Sequence, residues 1–224
     1  SPTGGAFGAY MFGIGATEMA GVLAPGKIWI KVPETILIQW NKSLSPLVTA
    51  KDMMLFTCRR LGLGGGRYQA IQYAGQAVYD LSMQERMTMS NMAAELGAQV
   101  GLIAPDEITA EYIKSAGGNL PKDWQDYRIE MHDPDGEVFL FDAARLAPQI
   151  AAPHSPANAD DAEAFKNIRL DIAYIGACTG AKYVDLKAAA LVLKGRSVAK
   201  AVTLKVAPAT LRDQKQAEAD GSMQ

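Results

Sequence analysis

Apolar and polar residues alternate in TILIQW at 35–40 and in IWIKV at 28–32, the period-two spacing of strands, on either side of Pro33. A short helix, ATEMAGVLA, is predicted before them from Ala16. Thr49 then stands as an N-cap ahead of Ala50, Met53, Met54, Thr57, Cys58 and Leu61, which fall at helical spacing and turn Cys58 toward a core. GLGGG at 62–66 stops that helix, and AIQYAG reads as the next strand.

Ser82 and Glu85 form a capping box, the clearest helix start in the chain. The helix is predicted over 83–96. Met89, Met92, Ala93 and Leu96 lie on one side, Gln84, Thr88, Asn91 and Glu95 on another, and Gly97 is the stop. A weak strand at 100–104 and a short helix around 109–115 follow. Segments 128–132 and 138–141 then read as a hairpin about DPDG. Pro148, Pro153 and Pro156 mark a linker. Beyond it the pattern is strand 171–176, helix 183–193, strand 202–207 and a helix from Leu211, the alternation that builds a parallel sheet through right-handed crossovers. Two strands are too few for a stable doubly wound sheet, so this last unit reads as part of something longer.

Composition narrows the function classes. Across 224 residues, 49% are apolar and 21% charged, as in globular proteins. The 22 basic and 24 acidic residues leave a net charge of -2, without the cationic excess expected of a nucleic-acid or membrane-surface binder. There is no long apolar span and no signal-like opening, so the chain reads as cytoplasmic. Two cysteines, Cys58 and Cys178, make no disulfide framework.

Cys178 falls between a predicted strand and helix. That is the carboxyl edge of a parallel sheet beside a helix N-terminus, where a thiolate is favoured as ligand or nucleophile. A small buried packing residue fits the same position. A cysteine phosphatase would need an arginine where Val184 stands, and His132 and His154 read as surface residues rather than bases. The glycine-dense opening at 4–15 matches neither nucleotide-loop pattern and is expected to pack closely against a larger body. By pattern alone the stripe of Gln84, Thr88, Asn91 and Glu95 is a solvated helix face.

Three longer segments change that weighting. SPTGGAFGAYMFGIGATE at the start, LSMQERMTMSNMAAELGAQVGLIAPD at 81–106 and YIGACTGAKYVDLKAAA at 174–190 stand in an order and spacing that resemble the aconitase superfamily. They match its glycine-rich segment after Asp-Ser-His, its SMxxRMTxxNMxxExGA segment and its GSCTN-type cluster loop. The GACTGAK form and the KIWIKVP and PHSP segments are most similar to the branch of 3-isopropylmalate dehydratase large subunits.

The resemblance implies an α/β fold of aconitase-like iron-sulfur domains, parallel sheets flanked by helices, incomplete at both ends. Residues 1–33 would be the end of a first α/β domain, 34–152 a second, and 153–224 the start of a third. It implies a hydro-lyase that isomerises a hydroxy di- or tricarboxylic acid by dehydration and rehydration, with 3-isopropylmalate of leucine biosynthesis foremost. Homoaconitase, aconitase, a substituted-malate dehydratase and a non-catalytic binding or scaffold module are the alternatives. By the same resemblance Cys178 is a ligand of a 4Fe-4S cluster, Asn91 lies close to that cluster, and Glu95 is a carboxylate near its open iron. The Asp-Ser-His motif would precede Ser1 and the paired cysteines would follow Gln224. The stretch by itself is therefore expected to be cluster-free and inactive, and a separate small subunit carrying the swivelling domain is an expected partner.

Overall fold

The structure, a computed structural model, describes residues 2–127, 136–177 and 180–223. The chain divides into two compact units, Ser1–Glu163 and Ala164–Gln224.

The first unit opens with a 3-10 turn, Pro2–Phe7, and continues through α1 (Ala16–Leu23), β1 (Thr35–Asn41), α2 (Ala50–Leu61), β2 (Ala70–Ala74), α3 (Gln76–Tyr79), α4 (Met83–Met92), β3 (Val100–Ile103), α5 (Glu107–Ser115), β4 (Val138–Asp142), β5 (Gln149–Ala151) and β6 (Ala159–Asp161). Four strands form one parallel sheet in the order β3-β2-β1-β4, with Thr35 opposite Ala70, Ala70 opposite Val100 and Leu37 opposite Val138. Ile36, Leu37 and Ile38 are all buried in succession, and every residue of β2 is buried. Consecutive burial means that both faces are covered, as a parallel sheet requires.

On one face α2 seats Met53, Met54 and Cys58 at 0% exposure. Trp40 of β1, Phe56 of α2 and Phe141 of β4 form an aromatic triangle with ring centroids 4.8 to 5.7 Å apart. The Asp52 carboxylate accepts from the Thr49 N–H at 2.7 Å, closing the cap of α2, and its other oxygen accepts from the Gln149 N–H at 2.7 Å. The proline-rich stretch is thereby tied to α2: β5 and β6 pair antiparallel inside the first unit.

One expectation changes, and another falls partly outside the described residues. The 28–32 segment forms no strand, and its residues are exposed. Segment 128–132, half of the predicted hairpin, lies outside the described residues, while β4 pairs parallel with β1. Alternation at 28–32 announced a strand, but a period-two pattern does not by itself supply a neighbour to pair with.

The second unit contains β7 (Ile172–Ile175), α6 (Tyr183–Leu193), β8 (Thr203–Val206) and α7 (Leu211–Ala219), with β7 and β8 paired in parallel as the sequence predicts. Its buried apolar residues are Ala181, Leu186 and Ala217, whereas Ile172 and Tyr174 are 59% and 60% exposed. No helix among the described residues is long and apolar enough to cross a membrane.

Candidate functional site

The segment that carries Asn91 and Glu95 starts at a cap and ends at a glycine. Ser82 Oγ accepts from the Glu85 N–H, and the Glu85 carboxylate accepts in return from Ser82 N–H at 3.2 Å and Oγ at 2.9 Å. The α-helix stops at Met92, and residues Ala93–Leu96 continue as a 3-10 turn. Gly97 closes it in the left-handed conformation (φ 71°), which a side chain would oppose. Because the last turn is tighter than α, Asn91 and Glu95 are not stacked one above the other as an unbroken helix would place them.

The polar stripe is not a solvated face. Thr88 is buried and Asn91 half-buried, and only Glu95 of the four is exposed. The cover is the glycine-dense opening, whose 3-10 turn lies against α4 and β3. Glycine at positions 5 and 101 permits that approach. A Cβ on Gly5 would run into the Gly101 carbonyl oxygen, and one on Gly101 would meet Ala93 Cβ at 2.7 Å and the Tyr73 ring at 2.9 Å. Asn91 Nδ2 donates to Thr3 Oγ1 at 3.2 Å, joining the predicted site residue to the predicted packing segment.

Sequence reasoning passed over the residue that fixes this helix. Arg86 is wholly buried and binds both oxygens of Asp106 at 2.7 Å, while its remaining donors reach the Leu81 carbonyl at 3.1 Å and the Tyr79 carbonyl at 2.7 Å. Asp106 is also the N-cap of α5, accepting from the Thr109 N–H at 3.1 Å. Burial alone would push the Asp106 carboxyl up. The hydrogen bonds from Arg86 and Thr109, with the guanidinium charge, outweigh it and hold that carboxyl below its ordinary value. An arginine one turn inside a capped helix, twenty residues before an aspartate that caps the next, was the available signal.

Cys58 faces the core as predicted. Burial first, and the Glu95 carboxylate second, push its thiol up from 9.0 to about 12. It is a neutral packing group at physiological pH, neither nucleophile nor thiolate ligand.

Cys178 lies outside the described residues, so its side chain is not placed beside Asn91 and Glu95. Its flanks modify the electrostatic argument. Ala177 holds a left-handed backbone (φ 77°), an uncommon state for a residue with a Cβ. At the start of α6, the Lys182 N–H donates to Asp185 at 3.0 Å and the Tyr183 N–H to Asp213 Oδ1 at 2.8 Å. Two carboxylates already take N-terminal donors that the sequence reading offered to a thiolate. Among the described residues no group of three or more His, Cys, Asp or Glu side chains is placed to hold a metal ion.

A model of the aconitase family (aconitate hydratase) matches residues 1–166 and 157–224. The chain is 42% identical to the 3-isopropylmalate dehydratase large subunit of Moorella thermoacetica, over 98% of the chain and 51% of that protein. It is 38% identical to 3-isopropylmalate dehydratase large subunit 1 of Pyrococcus furiosus, over 92% of the chain and 48% of the relative. It is 41% identical to 3-isopropylmalate dehydratase large subunit 1 of Methanopyrus kandleri, over 93% and 49%. The chain spans about half the length of the curated relatives it matches.

Proposed function

Because this chain belongs to the aconitase family, we propose that it is a portion of a hydro-lyase large subunit that isomerises 3-isopropylmalate by removing and returning water. The observation that carries the reading is the family match along both units, joined to identities of 38 to 42% with 3-isopropylmalate dehydratase large subunits. A separate small subunit completes the enzyme, as the relatives' designation as large subunits suggests. Its setting is the cytoplasm, and its pathway is leucine biosynthesis.

The family implies a 4Fe-4S cluster in the complete protein. The described residues do not fit one by themselves: Cys58 is a buried neutral thiol, and no set of side chains converges on a metal position. Cys178 is the one cysteine left to act as a ligand, and a cubane needs more than one thiolate.

This chain's own groups have definable tasks. Glu95, exposed on a turn braced by buried Leu96 and by Gly97, offers a carboxylate to accept a proton or hold a water. Asn91 keeps the glycine-rich segment in register through Thr3 and presents its amide from a half-buried position. Arg86, bonded to Asp106 and to the Leu81 and Tyr79 carbonyls, keeps the helix from shifting.

The test uses the polypeptide extended at both ends by its own coding sequence, with the small subunit added. It should dehydrate 3-isopropylmalate faster than homocitrate, citrate or other substituted malates, and preference for one of those would replace the substrate assignment. Cys178→Ser should abolish iron-sulfur absorbance and turnover, because a hydroxyl is a poor ligand for this soft centre, while Cys58→Ser should retain both. An extended protein that takes up no iron would point to a binding module instead of an enzyme.

A further inference from the structure

Glu95 lies past the bonds that hold α4. The Ser82–Glu85 cap and Arg86 act on the first turns of that helix, and the α-helix ends at Met92. Residues Ala93–Leu96 continue as a 3-10 turn, whose hydrogen bonds have poorer geometry than those of an α-helix. The direction in which Glu95 is presented must therefore be set from outside the helix.

The loop between α2 and β2 supplies that hold. The Gly66 N–H donates to the Leu96 carbonyl and the Tyr68 N–H to the Gly97 carbonyl, each at 2.8 Å, and the Gln99 N–H returns a bond to the Gln69 carbonyl at 2.9 Å. Both carbonyls that directly follow Glu95 are thus taken by this loop. At one end the loop is tied to the Cys58 carbonyl through the Gly62 N–H at 2.9 Å, and at the other it runs into the fully buried β2. Arg67 and Tyr68 hold successive left-handed backbones (φ 44° and 57°), uncommon for residues with a Cβ. Such strain persists only where the surroundings over-determine it, and it gathers at functional sites.

The contact leaves no room for a side chain. A Cβ on buried Gly66 would lie 2.6 Å from Ala98 N and 2.8 Å from its Cα, and one on Gly97 would lie 2.8 Å from the Leu63 carbonyl oxygen. Gly64 of the same loop faces open space, with nothing within 4 Å of its Cβ position. Displacing a reacting group by about 1 Å can cost about 100-fold in rate, so backbone seated on backbone is where one added carbon would be felt. We propose that Gly66 and Gly97 are positioning residues for Glu95, acting through the bonds of the 62–68 loop to Leu96 and Gly97. This rests on the reading of Glu95 as the carboxylate that accepts a proton or holds a water.

The test is a double-mutant cycle in the polypeptide extended at both ends, with the small subunit added. Gly66→Ala should lower kcat by at least about 10-fold with KM little changed, and Gly64→Ala should leave both as they are. In the Glu95→Gln background Gly66→Ala should lower kcat by less than about 2-fold, because the group it positions is already gone. If Gly66→Ala does not fold, Gly97→Asn takes its place in the cycle: asparagine tolerates the left-handed backbone, so the contact with Leu63 is what remains. Amide exchange in the 224-residue chain gives an independent reading. The amides of Gly66 and Tyr68 should be protected in the wild type and exchange at least about 10-fold faster in Gly97→Asn. Wild-type kcat in the loop variant, an equal loss with and without Glu95, or a loss as large in Gly64→Ala would overturn the proposal. So would unprotected amides at 66 and 68. A wild-type rate in Glu95→Gln alone would instead remove the role on which the proposal rests, and it shows before any loop variant is made.

Discussion

In the first unit Met53, Leu96, Ile38 and Ile71 are 0% exposed, while in the second Ile172 and Tyr174 on a strand of equal apolar character are about 60% exposed. Both units use the same device, parallel strands joined through helices. The difference lies in coverage. The four-stranded sheet has α2 on one face, α4 and the glycine-dense opening elsewhere, and a proline-rich stretch folded back onto α2. The pair β7–β8 buries little beyond Ala181, Leu186 and Ala217. Parallel pairing is stable where both faces are shielded, so the stability measured on this chain should reside in the first unit. The comparison also separates the candidate residues: Asn91 and Glu95 stand on the well-enclosed body, and Cys178 falls in the sequence of the open one.

The sharpest way to break the contrast is to cut the bond that anchors α4. Arg86→Met leaves the Asp106 carboxylate in a largely enclosed position with its guanidinium gone. Removing one member of a buried pair costs about 3–5 kcal/mol. The first unit should lose that much in urea unfolding followed by Trp40, which is buried at its centre. A loss below about 1 kcal/mol would mean that the pair is not what fixes the helix.

Next comes a matched pair of truncations. Leu96→Ala empties a fully enclosed site and should cost about 2–5 kcal/mol, including the cavity it leaves. Ile172→Ala removes a side chain already mostly in water and should cost under about 1 kcal/mol in the 224-residue chain. Equal costs would show that the face of β7 is covered in solution.

Proton linkage offers a milder probe with a definite sign. The folded state depresses the Asp106 carboxyl, so its contribution is present above the ordinary carboxylate range and drains away as pH falls through the lowered value. Protonation should cost less than Arg86→Met, because the guanidinium keeps the Leu81 and Tyr79 carbonyls. Cys58 acts in the opposite sense. Its thiol is raised, so its contribution is complete below pH 9 and is lost as pH rises toward about 12. Unfolding midpoints of the wild-type chain and of Cys58→Ala across both limits should show the acid limb in each and a weakened alkaline limb in the variant. An unchanged alkaline limb would remove Cys58 from the account.

Local signals were legible and covering partners were not. The Ser82–Glu85 box, the Gly97 stop, the Thr49 cap and both strands of the second unit could be read from the sequence because each is decided within a few residues. The burial of Thr88 and Asn91 could not, since it depends on a turn some ninety residues upstream approaching through Gly5 and Gly101. The same holds for the 28–32 segment, whose alternation reads as a strand but which stays exposed and outside the four-stranded sheet. At the candidate site, the family resemblance nominated Asn91 and Glu95. The sequence reading missed Thr3 and Arg86, and it overlooked the two carboxylates that take the first donors of α6.

The smallest expected effect on stability is at Glu95, and it is the one that bears most directly on chemistry. The side chain is exposed on a 3-10 turn, and the neighbouring Cys58 thiol is neutral at working pH. Glu95→Gln keeps the volume and removes one charge, so the unfolding free energy should stay within about 0.5 kcal/mol of wild type. It should rise slightly at alkaline pH, where a carboxylate near Cys58 opposes the thiolate. In the extended enzyme the same substitution should lower kcat by about 100-fold or more, the usual scale for removing a positioned acid or base, with KM little changed. A solvated surface glutamate would give wild-type turnover and equally unchanged stability. The two roles are thus indistinguishable in unfolding and separated only by the rate, and a wild-type kcat in Glu95→Gln would return this residue to the surface.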